Sequence, residues 1–127
     1  MSAIKEFKGK QGLQRLINAT GYSKDGLAAA WKHEAAFREE TLLAAIMVPL
    51  GLWLGRSSIE QALLVGTVLL VLIVELLNSA IEAVVDRVSD ERHELSKRAK
   101  DIGSAAVLLT LALTAAVWAL ILVPHYL

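Results

Sequence analysis

The chain has no cysteine. Disulfides, zinc–thiolate sites and thiol nucleophiles are therefore excluded. Standard nucleotide motifs are missing as well. Neither GxxxxGKS/T nor GxGxxG occurs, and nothing matches a soluble protein-kinase signature. There are no internal repeats and no low-complexity tracts. No cleavable leader is expected, because the N-terminus is polar and lacks an early apolar core. Formal charge is missing from one long stretch: Ile102–Leu127 has no charged residue unless His125 is protonated. Positive charge is missing more widely. No Lys or Arg follows Lys100, and between Thr41 and Val85 there is only Arg56.

What is present is apolar and arranged in blocks. The 127 residues are 55% hydrophobic, high for a small soluble domain, and their number predicts one domain. Ile102–Leu127 is long enough to span about 30 Å of hydrocarbon, which takes roughly 20 residues. Ala62–Val85 is a second block of that size. Thr41–Gly55 is short, and extending it back through Ala35–Phe37 brings Arg38, Glu39 and Glu40 to the interface. Of the 13 Lys and Arg residues, seven precede Thr41 and five lie in Arg87–Lys100. The positive-inside rule then puts the N-terminus and the second connection in the cytoplasm, and the Arg56–Glu60 loop and the C-terminus outside. The predicted fold class is an all-α membrane protein. It has an N-terminal amphipathic region over 1–40 and a three-helix membrane domain over 41–127, with spans at about 35–55, 62–85 and 101–124.

Leu13, Leu16 and Ile17 recur at helical spacing and predict a short amphipathic surface helix. Gly21, Tyr22 and Ser23 are expected to break it, with Ser23 capping a second helix. On that helix Glu34 falls on the Leu27 and Trp31 face, within about 20° of Leu27. A surface Glu34–Arg38 pair is the simpler account of the same spacing. Pro49 is expected to kink the first span. Trp31, Trp53, Trp118 and Tyr126 fit interfacial or packing roles.

The second span carries the most informative residues. Its run ALLVGTVLLVLIVELLNSAIEAVV has four strongly polar members, Glu75, Asn78, Ser79 and Glu82. A charged side chain at a helix centre costs about 2.5–3.5 kcal/mol on insertion scales, so such residues default to a functional hypothesis. Glu75 and Glu82 are seven positions apart, so their directions differ by about 20° and they stand about 10 Å apart along the axis. Asp86 adds a further turn to this stripe of oxygen ligands. Three explanations fit: interhelical hydrogen bonds that set an assembly, a proton or ion path in a channel or transporter, or a catalytic site with one carboxylate as base and another on a hard cation. In the following connection, Ser89, Asp90 and Glu91 read as a helix start. Lys97, Lys100, Asp101 and Ser104 then share one face, with His93 and Arg98 nearby. Cations beside such a stripe could bind phosphate, or could simply face lipid headgroups.

Three segments carry a family resemblance: VELLNSAIEAVVDR from Val74, HELSKRAKDIGSAA from His93, and EAAFREE from Glu34 preceded by GYSKDGLAAAW. Together they resemble the bacterial integral membrane diacylglycerol kinases over nearly the whole chain. The resemblance implies a homotrimer in the cytoplasmic membrane of a bacterium. It also implies ATP- and Mg2+-dependent phosphorylation of diacylglycerol to phosphatidic acid. Glu75 matches the proposed general base. Glu34 and Glu82 match metal-binding carboxylates at the nucleotide site, and Asn78 a residue supporting the active site. Lys100 and Asp101 match a pair needed for activity, with the lysine facing ATP phosphates. Glu91, His93, Arg98 and Tyr22 match positions near the nucleotide, although the role of Tyr22, like those of Glu40 and Asp86, is less defined. Arg15 and Ser104 match positions near the lipid headgroup or the reacting centre. Arg92 departs from an aromatic common in relatives, and Lys24 from a tryptophan. Similar blocks occur in undecaprenol kinases, so that lipid alcohol is the alternative substrate. Three helices offer little surface for so many polar groups, so a site shared between protomers is expected.

Overall fold

The computed structural model describes residues 2–88 and 93–127, with side chains from residue 11 onward. Every regular element among these residues is helical: α1 (Ser2–His33), α2 (Ala35–Leu54), α3 (Ser58–Val88) and α4 (Glu94–Tyr126). They form two units, Met1–Glu34 and Ala35–Leu127.

In the first unit, α1 runs without interruption through Gly21, Tyr22 and Ser23. The expected break is absent, and Ser23 caps nothing. Its hydroxyl donates instead to the Ala19 carbonyl at 2.8 Å, as Thr20 does to Leu16 at 2.9 Å. Back-bonding satisfies both hydroxyls inside the helix, and an isolated glycine costs only about 1 kcal/mol there. Leu13, Leu16 and Ile17 are exposed. Glu34 leaves the helical conformation, although its N–H still donates to Ala30 at 2.9 Å. Glu34 therefore stands between α1 and α2, and Arg38 lies on α2.

In the second unit, α3 packs against both α2 and α4. Its inward face is Leu64, Thr67, Val68, Val71 and Glu75, the three- and four-residue spacing of one helical stripe. Ala44 and Gly51 are buried on α2, and Gly103, Thr110 and Thr114 on α4. Leu64 is completely buried. A Cβ on Gly51 would lie 3.1 Å from the Leu64 Cβ, so the missing side chain lets α2 close onto α3. Hydrogen bonds cross the same seams. Thr114 Oγ1 donates to the Thr67 carbonyl at 3.2 Å, and the Trp118 indole to Leu64 at 3.1 Å. α2 continues through Pro49.

Ser57 caps α3 by accepting from the Glu60 N–H at 3.1 Å, the S-x-x-E arrangement of a helix start. Glu60 in turn accepts from the Arg56 N–H at 3.1 Å and stands 3.2 Å from His125 Nε2. The Arg56 backbone N–H, then His125, hold its carboxyl below the usual range. Arg56 also donates to the His125 carbonyl at 3.2 Å, and Tyr126 to the Leu54 carbonyl at 2.8 Å. The α2–α3 turn is thereby tied to the end of α4.

α3 and α4 are long and apolar enough to cross a membrane, yet only 28% and 6% of their most apolar stretches are buried in the protein. A core helix of a soluble domain hides its apolar surface, whereas these leave it outward. Apolar surface on that scale needs lipid or a protein partner, and the chain is a membrane protein. α2 is shorter, 20 residues against 31 and 33, and Arg38, Glu39 and Glu40 fall in its first half.

Candidate active site

The polar residues of α3 lie along its packed side and change in exposure toward its C-terminus. Glu75 is buried, Asn78 and Glu82 are half-buried, and Asp86 is exposed. The Asn78 amide donates to Glu82 Oε1 over a long 3.5 Å. On α2, Glu40 lies close enough to Glu75 on α3 for the two carboxyl groups to interact. Sequence reasoning had placed Glu40 at the interface without this partner.

Three buried polar atoms among the described residues have no hydrogen-bond partner: Glu40 Oε2, Thr41 Oγ1 and Asn78 Oδ1. Buried polar atoms are normally satisfied, so each exception asks for an explanation. Two of the three belong to residues that touch the carboxylate stripe. A cavity of about 60 Å3 adjoins Glu40, walled by Ala44, Met47, Val68, Val71 and Thr114 among others. It is large enough for water.

α4 brings cations to the exposed end of the stripe. Lys100 Nζ lies 2.7 Å from Asp86 Oδ1, across the two helices. The hydrogen bond to Asp86, then its charge, with a smaller contribution from Glu82, keep the Lys100 ammonium above its ordinary pKa. Asp101 turns the other way and meets Lys97 at 2.6 Å, so Lys100 and Asp101 are not partners of one another. Arg98 reaches Glu94 at 3.9 Å, in the open. His93 caps α4, its Nδ1 accepting from the Leu95 N–H at 3.0 Å. Ser104 is exposed. Glu91, with Ser89, Asp90 and Arg92, lies outside the described residues. Arg15, Tyr22 and Glu34 belong to the N-terminal unit, where Arg15 and Tyr22 are exposed and Glu34 is half-buried. The structure therefore gathers Glu40, Glu75, Asn78, Glu82, Asp86 and Lys100 on α2, α3 and α4.

The sequence model of the prokaryotic diacylglycerol kinase family matches residues 21–122. The chain belongs to that family. Among its relatives, the diacylglycerol kinase of Pseudomonas aeruginosa is 56% identical over 116 residues, covering 91% of this chain and 94% of the relative. The diacylglycerol kinase of Escherichia coli K12 is 51% identical over 115 residues, with the same two coverages. That of Helicobacter pylori J99 is 40% identical over 126 residues, covering 99% of this chain and 98% of the relative. The family match takes in every candidate residue from Tyr22 to Ser104 and leaves Arg15 outside.

Kinases of this kind imply a divalent cation. No group of three or more His, Cys, Asp or Glu side chains forms a metal cage among the described residues. Magnesium does not require one, since it is commonly held by one or two carboxylates with phosphate and water oxygens. Glu82 fits that demand. It is a half-buried hard-oxygen donor, steadied on one oxygen by Asn78 and near the Lys100 charge.

Proposed function

We propose that this chain is an ATP-dependent diacylglycerol kinase that works at the cytoplasmic face of the membrane as a homotrimer. The observation that carries the reading is the ordered stripe on α3. Its buried end holds the Glu40–Glu75 carboxyl pair, and its exposed end holds Asp86 and Lys100. A reaction between a lipid alcohol and a water-borne nucleotide needs that polarity. The relatives' names supply the alcohol.

Phosphoryl transfer needs positioning and charge neutralisation more than covalent chemistry. The lipid hydroxyl oxygen forms a bond to the γ-phosphorus of ATP as the bond to the bridging β–γ oxygen breaks, and ADP leaves. Glu75 accepts the hydroxyl proton. Lys100 exchanges Asp86 for a phosphate oxygen. Glu34 and Glu82 would each serve as a carboxylate ligand for magnesium, which would offset phosphate charge when bound. Asn78 steadies Glu82, and Asp101 is needed in the same α4 turn. Tyr22, Glu91, His93 and Arg98 serve the nucleotide, and Arg15 and Ser104 the lipid headgroup. The 1–40 region lies at the cytoplasmic interface, and 41–127 crosses the membrane three times, with α2 as the first span and the C-terminus outside.

The test incubates purified protein with labelled ATP and Mg2+, with diacylglycerol and undecaprenol in separate arms. Phosphate in diacylglycerol supports the reading. Phosphate in undecaprenol alone reassigns the substrate. Ion flux through liposomes without lipid phosphorylation overturns the enzyme reading.

A further inference from the structure

Asn78 Oδ1 is buried and has no hydrogen-bond partner, although its amide nitrogen reaches Glu82. The unpartnered oxygen does not face empty space. It faces the backbone of α4 at Gly103, which is itself buried. A Cβ built on Gly103 would collide with Oδ1 and lie 3.2 Å from Cγ of Asn78. The Asn78 carboxamide thus occupies the space that any other residue at position 103 would fill.

We infer that Gly103 is a positioning residue for the reaction: its missing side chain is the slot that sets the Asn78 carboxamide and, through it, the Glu82 carboxylate. The inference rests on the reading of Asn78 and Glu82 as active-site residues. Two features make the slot consequential. The Asn78–Glu82 hydrogen bond is 3.5 Å long, at the limit where such bonds persist, so a small rotation of the carboxamide breaks it. Gly103 also follows Lys100 by three residues, so both lie on the same side of α4. The same close approach that seats Asn78 therefore fixes how near the Lys100 turn comes to the α3 stripe. A glycine between Asp101 and Ser104 carries no chemistry of its own, and sequence reasoning had no reason to single it out.

The geometry also says how to separate a positioning role from general damage to packing. A Cβ on Gly103 would lie 3.9 Å from the Cβ of Asn78, ordinary van der Waals contact. In an Asn78→Ala background, alanine at position 103 then fits without displacing anything.

The experiment uses the full-length protein as Gly103→Ala, Asn78→Ala and the double variant, each assayed for lipid phosphorylation. Gly103→Ala alone is expected to lower kcat roughly 10- to 100-fold, the scale of a misplaced catalytic group, with KM for ATP and lipid nearly unchanged. Added to Asn78→Ala, it is expected to change the residual rate by less than about twofold, because the two act as a unit. The Asn78 side-chain amide resonances should shift in Gly103→Ala protein in detergent micelles. Equal losses in both backgrounds would overturn the inference, as would unmoved amide resonances. Should Gly103→Ala fail to assemble, the double variant is expected to assemble as well as Asn78→Ala, and its failure would also overturn it. Full turnover by Asn78→Ala would remove Asn78 from the mechanism, whereas the amide resonances judge the Gly103–Asn78 contact independently.

Discussion

Replacing Glu40 separates two ways in which it can serve Glu75. Glu40 lies near Glu75 and lines a mostly apolar cavity between α2, α3 and α4. If Glu40 acts as the donor that steadies an anionic Glu75, a neutral donor of the same shape replaces it. Glu40→Gln keeps such a donor and removes the carboxyl group. Glu40→Leu keeps the bulk and removes the donor. A hydrogen bond to a charged group contributes about 1.5–3 kcal/mol, and each 1.4 kcal/mol is about tenfold. Glu40→Leu should then lower kcat by roughly 10- to 150-fold, while Glu40→Gln stays within about tenfold of the parent protein. Initial rates of label transfer from ATP to diacylglycerol in mixed micelles measure this, with size-exclusion elution as the control for assembly. Parent-level activity in both the Gln and the Leu variants would refute the donor role. A Gln variant as impaired as Leu would show that the carboxyl proton itself is used.

Other consequences are readily checked. Glu34→Gln and Glu82→Gln should each shift the magnesium dependence of the rate to higher concentration, and an unchanged titration would remove the two-carboxylate proposal. Asp86→Asn frees Lys100 from its cross-helix partner, so KM for ATP should change while the KM for lipid does not; equal changes in both would argue for a general disturbance. Glu60 is held below its ordinary carboxyl range by the Arg56 N–H and His125. Its stabilising contribution is therefore present above the unfolded carboxyl pKa of about 4.3 and is lost as pH falls through the lower folded value. Thermal unfolding in detergent between pH 3 and 6 (an assay range of about three units around that pKa) should steepen with acid in the parent and less so in Glu60→Gln. Identical pH dependence in the two would contradict a stabilising tie between the α2–α3 turn and the end of α4.

The order of the long helices was legible because apolar runs long enough to span are rare by accident. The expected spans 62–85 and 101–124 fall inside α3 and α4, and 35–55 nearly coincides with α2. The stripe from Glu75 to Asp86 was legible from spacing along one helix. Partnerships between helices were not. Glu75 with Glu40 and Lys100 with Asp86 join residues that only packing brings together. Lys100 and Asp101 are adjacent in sequence, yet each turns to a different partner. The break expected at Gly21–Ser23 failed because a serine hydroxyl that can cap a helix can equally bond back to the preceding turn. Gly103 left no trace in the sequence, since its contribution is a volume left unfilled.

The central claim is that the buried Glu75 takes the proton of the lipid hydroxyl. The most direct measurement compares phosphatidic acid formation by the parent protein and by Glu75→Gln, matched for assembly and for ATP binding. The account predicts that the variant assembles, binds ATP normally and turns over roughly 10²- to 10⁴-fold more slowly, the range a positioned general base contributes. Phosphorylation of diacylglycerol at the parent rate by Glu75→Gln would contradict it.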